Sequence, residues 1–140
     1  IDFEGRMNNL PDYRSTTRDV RRLVNELLDE KIDGLIIESG FATEYPFFQL
    51  MGISPESIGF EEKHGFQNRA KAQKYSGPLL VMHAEQDHIV PFKEGELLFE
   101  ESPSTKKRFK SFPNADHNNI LFLYSQEFFF VVEEFLRDNS

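Results

Sequence analysis

A chain of 140 residues with a formal charge of −8 lacks the concentrated Lys and Arg that phosphate binding needs, so nucleic acid is excluded as a partner. Hydrophobic content of 39% supports one core of modest size, and no apolar run approaches the ~20 residues of a membrane span. The absence of Cys excludes a disulfide scaffold and thiol catalysis and fits a reducing compartment, so a cytoplasmic location is expected.

The chain opens on Ile1-Asp2-Phe3, which reads as the end of a strand without an initiator Met. Arg14 to Leu28 places Val20, Leu23, Val24, Leu27 and Leu28 at the spacing of an amphipathic helix, with Ser15, Thr16 and Thr17 as caps. Gly34 to Glu38 is a short buried strand. Residues 41–76 are expected to hold two or three short helices broken at Gly52, Pro55, Gly59 and Gly65. Leu79–His83 is the second strand, and Pro91–Glu101 a helix with Pro91 in its first turn. Arg108–Phe112 is the third strand, preceded by the basic cluster Lys106-Lys107-Arg108 as a solvated start. Asn119–Arg137 is a closing helix whose Phe128, Phe129, Phe130, Val131, Val132 and Phe135 face the sheet. Strands separated by helices imply parallel pairing, hence an α/β three-layer sandwich with a mainly parallel sheet.

Two loops carry chemistry. PLLVMHAEQDHIVP delivers Asp87 at the end of an apolar strand, and FPNADHNNI delivers His117 after the next one. An acid and an imidazole so placed are the parts that orient and charge a general base for nucleophilic catalysis. Asp87 has a plainer reading as a turn or helix cap, and His117 as a surface histidine. Glu85 is a less suitable acid, two residues too early. His83 is expected to pack beneath the turn, His88 to face solvent, and His64 to be surface. No spacing of these histidines supports a metal site, and no cofactor is implied.

The runs KIDGLIIESGFA, GPLLVMHAEQDHIVPFKEGELLFE and KRFKSFPNADHNNI resemble the C-terminal half of the α/β-hydrolase family, in its esterase-like or acyl-peptidase-like branch. The resemblance implies that Asp87 and His117 are the acid and base of a Ser-His-Asp triad acting on an ester, thioester or small amide. It further places a lid at residues 41–76 of a single domain, in which Phe47, Phe48, Leu50 and Met51 form an apolar run. Phe47, Phe48 and Met51 are the candidate substrate-binding residues, for a small ester-like molecule. The alternative is that they cover the sheet edge.

The nucleophile elbow, Gly-x-Ser-x-Gly on a strand-to-helix turn, is not in this sequence. The family places it where Asp29-Glu30-Lys31 here joins helix to strand, and the oxyanion loop would precede Ile1. Ser39 lacks the preceding glycine, Ser54 is followed by Pro55, and Ser15 reads as a helix cap. We therefore expect further chain before Ile1 and between Leu28 and Ile32, and no hydrolysis from the sequence as written. A non-catalytic remnant with a binding or structural role is the alternative.

Overall fold

A computed structural model describes residues 32–139. The expectations on the helix over residues 14–28, on the junction at residues 29–31 and on Ser15 lie outside the described residues.

Three strands pair in parallel in the order β1 (Leu35–Glu38), β2 (Leu79–Ala84) and β3 (Lys107–Phe112). Every residue of β2 is buried, as its unbroken apolar run requires of a central parallel strand. Alternate side chains then go to opposite layers. Leu80, Met82 and Ala84, with Ile36 of β1 and Phe112 of β3, meet Ile120, Val131 and Phe135 of the helix Ile120–Asp138. On the other face Ile37 packs with Ala42, Ala72, Leu97 and Leu98, and Phe109 lies edge-on to Phe92 and Phe99. The helix Phe92–Glu101 supplies that layer. The described residues thus form a three-layer α/β arrangement.

The segment between β1 and β2 holds two helices, α1 (Tyr45–Leu50) and α2 (Asn68–Ala72), with 3-10 turns at Glu56–Ile58 and Glu62–His64 between them. Gly52 and Gly59 break it at left-handed φ of 67° and 64°, a conformation glycine adopts without steric cost. The helices Phe92–Glu101 and Ile120–Asp138 are α3 and α4. Pro91 precedes α3 rather than lying inside it, because its ψ of 140° is extended. In α4 the backbone departs from helical geometry at Tyr124, whose hydroxyl bonds the Pro113 carbonyl.

The basic cluster is only partly a solvated strand start. Lys107 Nζ donates to the carbonyls of Phe99 (2.7 Å) and Ser102 (2.8 Å) at the end of α3, where a cation also meets the negative end of the helix dipole. Arg108 and Lys110, on the opposite face of β3, pair with Glu134 and Glu127 of α4. Among the described residues no helix is long and apolar enough to cross a membrane.

Candidate active site

Parallel pairing brings the C-terminal ends of β2 and β3 to one edge of the sheet, and their exits are laced together. Glu85 N donates to Phe112 O (3.1 Å) and Gln86 N to Ala115 O (3.0 Å). The chain leaves β3 through Asn114, whose φ of 59° suits an Asn in a tight turn. Asp116 and Asn119 then bracket the next residue: Asn118 N donates to Asp116 Oδ1 (2.9 Å) and Asp116 N to Asn119 Oδ1 (2.8 Å). The residue held between them is His117.

Asp87 is buried, at 7% exposure, and its two carboxylate oxygens have separate tasks. Oδ1 accepts the backbone N–H groups of Ile89 (2.9 Å) and Val90 (2.8 Å), which fixes the carboxylate plane. Oδ2 is left for His117, whose Nδ1 lies 2.8 Å away. A carboxylate accepts only, so Nδ1 carries the proton and the Nε2 lone pair is available on a ring whose side chain is 28% exposed. Such a pair can take a proton from a hydroxyl and stabilise the imidazolium that results.

The remaining candidates fall elsewhere. Glu85 points away and accepts from Ser111 Oγ (2.8 Å). His88 and His64 are exposed. His83 lies beneath the turn, wholly buried, with Nε2 2.9 Å from Val90 O. Ser39 ends β1 at a strained φ of 48° with its hydroxyl on Glu38 Oε1 (2.7 Å), and Ser54 Oγ bonds Glu56 Oε2 (2.6 Å). Neither serine bonds His117. Phe47 stacks edge-on to Phe41 (4.9 Å between centroids) and Phe48 packs on Phe60 (4.6 Å), while Met51 is 59% exposed at the end of α1. The described residues contain no cluster of three or more His, Asp or Glu able to hold a metal ion.

Sequence reasoning missed three supports of the site. Asp116 and Asn119 flank His117 at a spacing that could have been read as a capped turn. Glu94 could not have been found so. Its buried carboxylate accepts the backbone N–H groups of Ala42 (2.9 Å) and Thr43 (2.8 Å) across 52 and 51 residues of chain, pinning the exit of β1 to α3.

A family model described as serine aminopeptidase, S33, matches residues 63–121, the stretch that contains β2, β3, Asp87 and His117. Protein bem46 of Schizosaccharomyces pombe is 39% identical over 63 residues, covering 45% of this chain and 20% of that protein. Of the solved structures, the monoacylglycerol lipase of Paleococcus ferrophilus superposes with a TM-score of 0.60 at 19% identity, over 86% of this chain and 64% of that one. The acylaminoacyl peptidase of Pyrococcus horikoshii gives 0.51 at 15% identity, over 65% of this chain and 17% of that one. The fold is that of the α/β hydrolases. Its match spans a fifth of the curated relative.

Proposed function

We propose that the protein containing these residues is a serine hydrolase of ester, thioester or small amide bonds, with His117 as general base and Asp87 as its orienting acid. The 2.8 Å bond from His117 Nδ1 to Asp87 Oδ2 carries this reading. With Nδ1–H held by Asp87, Nε2 takes the proton of a serine hydroxyl as it attacks the acyl carbon, then returns it to the leaving group. Asp87 stays ionised and balances the transient imidazolium. The serine and the backbone donors for the oxyanion lie, on this reading, outside residues 32–139. The monoacylglycerol lipase among the structural neighbours favours an ester as substrate. Residues 41–76 serve as a lid of the same domain, and Phe47, Phe48 and Met51 line its acyl side.

The test is covalent labelling by a fluorophosphonate, read by intact mass. A longer protein joining this chain to a Gly-x-Ser-x-Gly segment should be labelled once, and His117→Ala should abolish both labelling and ester turnover. The 140 residues alone should remain unlabelled, since a His-Asp pair without an activated hydroxyl has nothing to acylate. Labelling of the longer protein that survives His117→Ala overturns the assignment. For the lid, Phe47→Ala should raise KM for a long-chain ester more than for an acetate.

A further inference from the structure

Beneath the acid turn sits a second imidazole that the proposed chemistry does not use. His83 is 0% exposed and projects from β2 toward α3. Its Nε2 lies 2.9 Å from Val90 O and 3.5 Å from Asp87 Oδ2, whereas its buried Nδ1 has no hydrogen-bond partner. These contacts fix the tautomer. Val90 O and the Asp87 carboxylate can only accept, so a proton on Nδ1 would set the Nε2 lone pair against both. With the proton on Nε2, one N–H meets an acceptor at good distance and the bare nitrogen faces the aliphatic surface of α3.

That surface is itself unusual. Gly95 lies inside α3, where glycine is less favourable than alanine. A Cβ there would stand 2.4 Å from His83 Nδ1 and 3.0 Å from its Cγ. The glycine therefore leaves the space the ring fills, and Phe92 closes it edge-on at 5.8 Å. Nearby charges are engaged elsewhere: Glu94 with Ala42 and Thr43, Glu85 with Ser111. Asp87 is the ionisable group that faces the ring.

From this arrangement we infer that His83, as the Nε2–H tautomer seated on Gly95, is a positioning residue that closes the acid turn and aims Asp87 at His117. Val90 is the shared point. Asp87 Oδ1 holds its N–H and His83 holds its carbonyl, so the peptide units on both sides of Val90 are fixed relative to β2. Nε2 also lies 3.5 Å from Oδ2, the oxygen that receives His117, so the donor side of the ring borders the carboxylate. The inference rests on the proposed role of the pair for its functional meaning, but its geometry is testable without turnover.

The experiment is 15N and 1H NMR of the histidine rings in the full 140-residue chain. In the unsubstituted protein, His83 should show a protonated Nε2 and a bare Nδ1, and His117 a slowly exchanging Nδ1–H. His83→Leu keeps bulk and removes the donor, and His117 Nδ1–H should then exchange with water about 10-fold faster, the factor that one lost net hydrogen bond represents. His83→Gln, which can return an N–H to the same region, should restore most of the protection. Gly95→Ala should reproduce the loss by displacing the ring with its donor intact. A protonated Nδ1 on His83 in the unsubstituted chain overturns the inference even if every variant fails to fold. So does a folded His83→Leu whose His117 signal is unchanged. Because none of these signals requires a nucleophile, an inactive longer protein would refute the hydrolase reading and leave this one standing.

Discussion

Asp87→Asn isolates what the acid does, because the geometry leaves the amide no good orientation. If its oxygen keeps the Ile89 and Val90 N–H groups, its NH2 takes the place of Oδ2 and confronts a donor at His117 Nδ1, 2.8 Å away. The reverse orientation sets the NH2 against two backbone N–H groups and orphans both, at about 1–3 kcal/mol each. The first orientation costs less, so His117 should switch to the Nε2–H tautomer to offer Nδ1 as an acceptor. Three hydrogen bonds also lose their charge assistance, which distinguishes about 1.5–3 kcal/mol from about 0.5–1.5 per bond, and a destabilisation of about 2–4 kcal/mol is expected. Urea unfolding followed by far-UV circular dichroism measures this in a chain without Trp, and ring 15N shifts report the tautomer. In a longer, active protein the wrong tautomer should lower kcat by about 10⁴-fold, as it does in serine proteases. Destabilisation below about 0.5 kcal/mol, or a His117 that keeps its Nδ1 proton, would refute the reasoning.

Glu94→Ala should cost about 2–4 kcal/mol, since it strands the buried N–H groups of Ala42 and Thr43, and hydrogen exchange at those two amides should accelerate most. Phe112→Ala empties a fully buried site between β3 and α4 and should lose about 3–5 kcal/mol in the same unfolding assay. Lys107→Met removes the donors to the end of α3 and should lower stability by about 1–2 kcal/mol, with fraying confined to residues 98–102. Bonding from the Arg69 guanidinium holds the Glu101 carboxyl below its ordinary value of 4.5. A carboxyl lowered by folding contributes stability that is present above its unfolded value and lost as pH falls through its folded one. Glu101→Gln should therefore lower stability in the neutral region and flatten the acid limb, so that the two curves converge well below about 4.5, which thermal unfolding across pH checks.

The elements around the site were legible because each is specified by neighbours in sequence. The unbroken apolar run of β2 and the long Phe-rich stretch of α4 marked these elements, and the order of three strands joined by helices implied the parallel sheet. Asp87 and His117 could be picked out for the same reason, since each closes a strand that the pattern already located. Boundaries moved by a residue or two where a cap decided them, as at Pro91, whose extended ψ puts it outside α3.

What the sequence could not specify was which distant atoms would meet. Lys107 looked solvated because the carbonyls it caps, eight and five residues earlier, come within its reach only through the turn from α3 into β3. Nothing local marks Glu94, whose carboxylate satisfies amides more than 50 residues earlier. Phe47 and Phe48 read as one apolar run, but the turn of α1 sends them to different aromatic partners, Phe41 and Phe60. His83 could be placed beneath the turn from its strand, while its tautomer depended on Val90 O above and Gly95 beside it. Local periodicity determines which face a side chain takes. Long-range hydrogen bonding and packing, which exist only in three dimensions, decide what that face finds there.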